Sequence, residues 1–112
     1  MISDMKIYFS IVLILFSFSL FGEDGASIFN TKCIACHTHG GGKKIGPDLK
    51  GVTKRRKEAW IKNMILDPDK MLKTDPIAKK LLKEHNNVPM IKLGLSEAEA
   101  LSVIEFLKQK DK

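Results

Sequence analysis

Hydrophobic residues recur at spacings of three and four positions after the first part of the chain, which is the period of an amphipathic helix. This pattern predicts a first helix over residues 25–36 and a second over residues 54–66. The run Gly40-Gly41-Gly42 indicates that the first helix gives way to a loop. Pro68 is expected to stop the second helix and to open only a short turn toward Met71.

Two further helices are marked by the residues at their N-termini. Asp75 followed by Pro76 is typical of an N-cap and a first helical position, and Asn86-Asn87-Val88-Pro89 ends this helix. Ser96 and Glu99 have the spacing of a capping box, which begins the last helix. The buried stripe of the last helix is expected to be Ala100, Val103, Ile104 and Leu107. No strand or repeat is indicated, so we predict an all-α domain of four or five helices.

The beginning of the chain differs from the rest. Lys6 precedes a stretch of apolar residues and serine from Ile7 to Phe21, and Gly22 follows, which is typical of a secretory signal peptide. We expect residues 1–22 to be this signal peptide and residues 23–112 to form a single small domain. A membrane-spanning helix needs about twenty apolar residues, so an uncleaved anchor is the second interpretation.

Cys33-Ile34-Ala35-Cys36-His37 is the segment most informative about chemistry. The spacing Cys-x-x-Cys-His is typical of c-type haem attachment, in which each thiol forms a thioether to a haem vinyl group and the histidine becomes the proximal iron ligand. A zinc site built from these thiols with His37 and His39 would normally draw further ligands from elsewhere in the chain. A redox Cys-x-x-Cys belongs beside a βαβ pattern, which is not visible. Zinc binding and thiol redox chemistry are the alternatives to covalent haem.

The composition of the mature chain favours a core built around a cofactor. Without the signal peptide, the aromatic residues are reduced to Phe29, Trp60 and Phe106. A domain of this size buries only about 60% of its unfolded surface and is marginally stable. Cys33 and Cys36 are too close in sequence to connect distant segments by a disulfide. One covalently attached haem c would supply the missing apolar mass.

A second axial ligand is expected on the opposite face of the haem. Met90 follows Pro89 in a predicted loop and offers the thioether that cytochromes c use. The other candidates are less suitable because of packing, sequence distance or exposure: Met64, Met71, His39 and His85. His85 is the runner-up, because it is near Met90 in the sequence.

Five segments appear in the order typical of class I c-type cytochromes: Cys33-Ile-Ala-Cys-His37, Ile45-Gly-Pro-Asp-Leu-Lys-Gly51, Arg55-Arg-Lys-Glu-Ala-Trp-Ile61, Val88-Pro-Met90 and Leu93-Gly-Leu-Ser96. The chain therefore resembles this monohaem cytochrome c family over nearly all of its mature length. The resemblance implies a small cytochrome c-like domain around one covalently attached haem. It also implies that the first and last helices cross near Gly25, Phe29 and Phe106.

The resemblance implies roles for residues on both faces of the haem. The Pro47 carbonyl would orient His37, a contact that raises the basicity of the ligand. Leu49 would pack on the porphyrin edge. Many relatives place proline after the axial methionine, whereas here Pro89 precedes Met90.

The resemblance also implies how a haem propionate is bound. Trp60 and either Arg55 or Arg56 would hydrogen-bond the propionate. The mature chain has no tyrosine, since Tyr8 lies in the signal peptide, so propionate contacts made by tyrosine in relatives are absent or replaced.

Charge bears on the partners of the protein. The formal net charge is +6, and the signal peptide does not change it because Asp4 and Lys6 cancel. The basic residues cluster at Lys43-Lys44, at residues 54–57 and at Lys79-Lys80-Lys83. Export removes nucleic acid as a partner. Many of these side chains are expected on solvated helix faces, and part of the charge is expected to steer the protein toward acidic docking surfaces.

These inferences favour an exported, periplasmic or otherwise extracytoplasmic electron carrier that acts as a monomer and not as an enzyme. Its expected partners are respiratory redox proteins such as a cytochrome bc-type complex and a terminal oxidase or reductase. One alternative is a haem enzyme or gas sensor with a displaceable axial ligand. Another is a membrane-anchored subunit of a respiratory complex, if the leader is retained.

Overall fold

The computed structural model describes residues 24–112. The predicted signal peptide, residues 1–22, lies outside the described residues, so the domain boundary stays a prediction. Within residues 24–112, none of the helices combines the length and the apolar character that crossing a membrane requires.

The described chain is helical throughout its regular structure. The helices are α1 (Gly25–Ile28), α2 (Val52–Arg55), α3 (Glu58–Leu66), α4 (Pro68–Thr74), α5 (Pro76–Glu84) and α6 (Glu97–Lys110), and a π-helical segment (Phe29–Cys33) directly continues α1. Residues 24–112 contain no strand, and the predicted all-α fold is confirmed.

The N-termini of α5 and α6 follow from local side-chain capping. The Asp75 carboxylate accepts the backbone N–H of Ala78 at 2.9 Å, and Pro76 occupies the first turn, where its missing N–H costs nothing. Ser96 Oγ accepts the N–H of Glu99 at 3.1 Å, and the Glu99 carboxylate accepts the N–H of Ser96 at 3.0 Å. Both predicted helix starts are confirmed.

Two departures raise the number of α-helices to six in residues 24–112, above the predicted four or five. The predicted helix over residues 54–66 is two helices, because Arg56 and Lys57 adopt extended backbone conformations between α2 and α3. Pro68 begins α4 instead of a short turn, since the Asp67 carboxylate accepts the Lys70 N–H at 3.3 Å and caps the new helix.

The crossing of α1 and the π segment with α6 organises the core. A Cβ at Gly25 would lie 2.0 Å from the Ser102 carbonyl oxygen, so only glycine permits this close approach. Next along the crossing, the rings of Phe29 and Phe106 lie with their centroids 5.4 Å apart in a tilted arrangement. The predicted crossing is confirmed.

One cluster of buried hydrophobic residues joins α6 to the helices packed against it. They are Ile28, Phe29, Val52, Ile61, Ile65, Ala100, Val103, Ile104 and Leu107. All four residues of the predicted stripe on α6 are among them. Full burial of an Ile, Leu, Val or Phe side chain contributes about 1.5–3 kcal/mol, so this cluster holds α6 beneath the segment that carries the two cysteines.

Candidate functional site

The Cys-x-x-Cys-His segment leaves the π segment in a tight turn. The N–H of Ile34 donates to the Phe29 carbonyl at 3.2 Å, a bond one residue wider than in an α-helix, and the N–H groups of Cys36 and His37 both donate to the Cys33 carbonyl, at 3.2 and 2.9 Å. The first predicted helix, expected to run to residue 36, therefore loses α-geometry at Phe29. Single π turns are frequent at functional sites because the extra residue redirects the side chains that follow.

The turn joins the backbone of Cys36 and His37 to that of Cys33. Cys33 and Cys36 are free thiols and half-buried. Burial raises the pKa of the Cys33 thiol. The donor set is therefore two unbridged thiols followed immediately by an imidazole, which is the set that thioether attachment and axial ligation of haem require.

His37 is oriented by the loop that returns over it. Its Nδ1 lies 2.9 Å from the Pro47 carbonyl oxygen, and with the proton on Nδ1 the ring donates to that oxygen and keeps the Nε2 lone pair for a metal. Burial lowers the pKa of His37, against the opposing influence of the Pro47 carbonyl. A half-buried neutral imidazole with one nitrogen engaged is the state that ligates iron.

Gly46 is a site residue that the sequence reasoning missed. A Cβ at this position would lie 2.6 Å from His37 Cε1 and 2.9 Å from Nδ1. Its N–H donates to the Cys36 carbonyl at 2.7 Å, so the loop is fastened to the Cys-x-x-Cys-His turn. The signal available in the sequence was the pair Gly46-Pro47 after the glycine run.

Asp48 was also missed as an organiser of the same loop. Its carboxylate accepts the backbone N–H groups of Gly40 at 2.7 Å, Gly42 at 2.9 Å and Lys50 at 2.9 Å. The bonds from Gly40 and Lys50 lower the pKa of Asp48 to about 2. An ionised aspartate with three backbone donors holds the glycine-rich loop in one conformation.

The structure places Trp60 and Arg56 together, with Asp75 as a third member. Trp60 Nε1 donates to Asp75 Oδ2 at 2.9 Å, and the Arg56 guanidinium lies 5.5 Å from the centre of the Trp60 ring. The hydrogen bond from Trp60 is the largest influence that lowers the pKa of Asp75. Arg55 points elsewhere, donating to the carbonyls of Asp48 and Lys50. Of the two arginines considered for a propionate, only Arg56 lies against Trp60.

Met90 lies in the irregular segment between α5 and α6 and is half-buried. The chain reaches it through Asn86 and Asn87, which have φ values of 60° and 59°. Two consecutive left-handed residues that are not glycine cost conformational energy, which asparagine bears better than most residues. Leu49, which follows the Cys-x-x-Cys-His segment in the sequence, is partly buried against the hydrophobic core.

His85, the alternative ligand, is buried at the end of α5, with 8% of its surface exposed. Its Nδ1 lies 2.7 Å from the Leu81 carbonyl oxygen, so a proton on Nδ1 again leaves Nε2 as the lone-pair nitrogen. The charge of His85 is one of the influences that lower the pKa of His37, after burial. His85 therefore lies close enough to His37 to influence it.

His39, the fourth residue considered as a zinc ligand, is paired with an aspartate instead. His39 Nε2 lies 2.7 Å from Asp111 Oδ1. Among residues 24–112, no group of three or more His, Cys, Asp or Glu side chains is arranged to hold a metal ion.

The basic clusters differ in their local roles. The Lys43 ammonium donates to the Glu84 carbonyl, and the Lys44 ammonium donates to the Ile34 carbonyl at 2.9 Å. Lys43 is thus bonded to the end of α5, whereas Lys44 reaches the Cys-x-x-Cys-His turn. Large apolar side chains are exposed beside it, including Ile34 at 44% and Ile45 at 49%.

Comparison with known proteins gives consistent matches. Residues 22–111 match the family described as cytochrome c. The structure is similar to cytochrome c from Rhodothermus marinus, at 39% identity and a TM-score of 0.74, covering 78% of this chain and 73% of that chain. It is also similar to a cytochrome c domain from Pseudomonas putida, at 38% identity and a TM-score of 0.70, covering 78% of this chain and 87% of that chain. An engineered Rhodothermus marinus cytochrome c bound to a carbene intermediate matches at 39% identity and a TM-score of 0.70, covering 78% and 73% of the two chains.

Proposed function

Since this chain belongs to the cytochrome c family, whose members carry covalently attached haem c, we propose that it is an exported carrier of single electrons between redox partners. The observation that carries the proposal is the pairing of two free thiols, Cys33 and Cys36, with a histidine whose Nδ1 is engaged by Pro47. When bound, the haem iron supplies a one-electron ferric/ferrous couple. Every other contribution comes from the chain.

The thiols and the histidine would divide the tasks of attachment and ligation. Cys33 and Cys36 would form the two thioethers that prevent loss of the cofactor. His37 would ligate the iron through Nε2, because Nδ1 donates to the Pro47 carbonyl. That hydrogen bond holds the ring in one orientation and increases its basicity, which favours the ferric state.

Met90 would be the second residue that ligates the iron. A thioether is a soft donor and raises the reduction potential relative to a second histidine. With two protein ligands on the iron, no position is left for a substrate, so the protein would exchange electrons without forming or breaking substrate bonds. This is the reason for preferring a carrier to an enzyme.

The remaining predicted residues would hold the cofactor's periphery. Leu49 would pack on the porphyrin edge, where its apolar side chain excludes water. Trp60 and Arg56 would serve a propionate, and their proximity to each other supports that pairing over one with Arg55. The Trp60 N–H donates to Asp75, so Asp75 and the propionate would compete as acceptors of this hydrogen bond.

The charge of the chain supports acidic partners. The net charge of +6, which includes Lys44 at the Cys-x-x-Cys-His turn, would speed encounter with a negatively charged surface, and added salt would slow it. The expected partners are respiratory proteins such as a cytochrome bc-type complex and a terminal oxidase or reductase. Export through the predicted signal peptide would place the protein in the periplasm or an equivalent compartment.

The test begins with absorption spectra of the oxidised and reduced protein, produced in a host that matures cytochromes c. A low-spin spectrum with the weak long-wavelength band of sulfur bound to ferric iron would support His37/Met90 ligation. A Cys33→Ala/Cys36→Ala variant is the matched control and should lose haem on denaturation. A high-spin spectrum of the parent protein would contradict the carrier function.

A second candidate is a haem protein with an accessible iron position that binds or converts a small molecule. The observation that favours it is the engineered relative from Rhodothermus marinus, described as bound to a carbene intermediate. Carbon monoxide discriminates between the two functions. Binding to the reduced parent protein at neutral pH would favour this second candidate, whereas an unchanged spectrum would favour the carrier.

A further inference from the structure

Asp111 follows the last residue of α6, and its side chain is buried to an unusual degree for a carboxylate. Only 1% of the side chain is exposed. It lies beneath the loop that runs from the Cys-x-x-Cys-His turn to α2. Buried carboxylates are rare unless their oxygens are fully hydrogen-bonded, so its partners decide what it does.

Four hydrogen bonds converge on the Asp111 carboxylate. Oδ1 lies 2.7 Å from His39 Nε2 and accepts the N–H of Gly51 at 2.7 Å. Oδ2 accepts both the N–H of Thr53, at 3.0 Å, and its hydroxyl, at 2.6 Å. Burial alone would raise the pKa of Asp111, but the hydrogen bonds from Thr53 and Gly51 outweigh it and hold the pKa well below its usual range.

The partners lie at the two ends of one loop. His39 is at the start of the loop and Gly51 and Thr53 are at its end, while Pro47, whose carbonyl accepts from His37, lies between them. Asp111 therefore joins both ends of the loop to α6. Asp48 ties the interior of the loop by a separate set of bonds.

We propose that Asp111 is a positioning residue for the axial histidine: it closes the loop that presents the Pro47 carbonyl to His37 Nδ1. The proposal rests on the proposed function in one respect, since it takes His37 as an iron ligand. Its consequence is that the C-terminal end of α6 tunes the haem, although Asp111 contacts neither His37 nor a cysteine in any hydrogen bond of the described residues.

A looser loop has a defined electronic result. If the Pro47 carbonyl moves away from Nδ1, the imidazole becomes a weaker base and stabilises the ferric state less. The reduction potential should then rise. Loss of the buried negative charge would raise it as well, so the potential must be read together with a measurement of the Nδ1–H bond itself.

Two variants separate these causes in the haem-loaded protein. Asp111→Asn removes the charge and part of the acceptor set. Thr53→Val keeps the charge and the shape but removes the hydroxyl bond to Oδ2. Glu58→Gln is the matched control, because it removes the negative charge from an exposed ion pair between Lys108 on α6 and Glu58 on α3, 3.0 Å apart, without touching the loop.

The measurement is hydrogen exchange at His37 Nδ1–H in the reduced protein, labelled with ¹⁵N at histidine, together with the midpoint potential. We expect exchange in Asp111→Asn to be faster by about tenfold, the factor implied by loss of one hydrogen bond to a charged group. Thr53→Val should show a smaller increase, the potential should rise in Asp111→Asn, and Glu58→Gln should match the parent protein.

Unchanged exchange in both loop variants would overturn the proposal. A rise in the reduction potential without faster exchange would overturn it too, because Asp111 would then act on the haem only through its charge. If Asp111→Asn does not fold, Thr53→Val alone decides between these results. If the His37 ring protons of the parent protein lack the shifts that a ligand above a porphyrin must show, the proposed ligation fails and this proposal with it. Shifted ring protons with unchanged exchange in the variants would overturn this proposal alone.

Discussion

Gly46 and His37 are in contact in a way that no other residue at position 46 would permit. A Cβ there would lie 2.6 Å from His37 Cε1, closer than nonbonded carbon atoms approach. The backbone of Gly46 therefore packs directly against the imidazole ring of His37. The imidazole ring also has little freedom to rotate, because the carbonyl of the next residue, Pro47, accepts a hydrogen bond from Nδ1.

Gly46→Ala should displace the His37 ring and lower the free energy of unfolding by about 1–3 kcal/mol, as overpacking usually does. The check is thermal unfolding together with the absorption spectrum of the haem-loaded variant. Gly42→Ala is the control, since Gly42 has a φ of +88° but nothing within 4 Å of its would-be Cβ. It should lose stability through backbone strain without changing the spectrum. Equal spectral changes in both variants would contradict the contact as the cause.

Removal of the methionine thioether separates the two candidate ligands. Met90→Ala should abolish the long-wavelength sulfur band. If His85 then binds the iron, the spectrum should stay low-spin and the reduction potential should fall, because a second histidine stabilises the ferric state more than methionine does. The double variant Met90→Ala/His85→Phe should be high-spin and bind carbon monoxide. A sulfur band that survives in Met90→Ala would exclude Met90 as the ligand.

Acid stability should depend on Asp48. Its pKa in the folded protein is about 2, against an ordinary value of 3.8. Because the folded value is the lower one, its stabilising contribution is complete above the ordinary value and disappears as the pH falls toward 2. Asp48→Asn should be less stable than the parent protein at neutral pH, and the difference should shrink between about pH 4 and pH 2. Denaturant midpoints measured across that range check the prediction, and a constant difference would refute it.

Trp60 and Asp75 should be coupled energetically. Trp60→Phe removes the donor of a 2.9 Å bond and should lower the free energy of unfolding by about 1 kcal/mol. In a double-mutant cycle with Asp75→Ala, the combined loss should be smaller than the sum of the two single losses, because both variants lack the Trp60–Asp75 bond. Asp75→Ala by itself also removes the cap on the Ala78 N–H. A propionate that took the Trp60 N–H would give a different result: additive losses, with a shift of the midpoint potential in Trp60→Phe alone.

The helices that the sequence predicted well are those whose ends are decided by neighbouring residues. Asp75-Pro76 and Ser96-Glu99 cap their own first turns, so no distant contact is needed. The stripe on α6 could be read from its period, because a helix with apolar residues on one face has only one way to bury them. The Cys-x-x-Cys-His turn is also local, because its backbone bonds join residues only three and four positions apart.

The features that were missed either have no sign in the local composition or depend on residues far apart in sequence. The break at Arg56, which takes an extended conformation, has no proline or glycine to announce it. The π segment Phe29–Cys33 adds one residue to a turn without any compositional sign. Asp111 binds His39 and Thr53, but in the sequence it lies between Lys110 and Lys112 and resembles an ordinary solvated carboxylate.

By itself, then, the sequence determined the all-α class, the family and the attachment chemistry, since these reside in periodicity and in the spacing of Cys33, Cys36 and His37. Only the tertiary structure decided how His37 is held: the Pro47 carbonyl, the bare backbone of Gly46 and the Asp111 carboxylate meet around one loop. The physical reason is the separation along the chain over which each kind of interaction acts. Helix period and capping act within a few residues, whereas hydrogen bonds and close approaches between distant segments exist only after the core has packed.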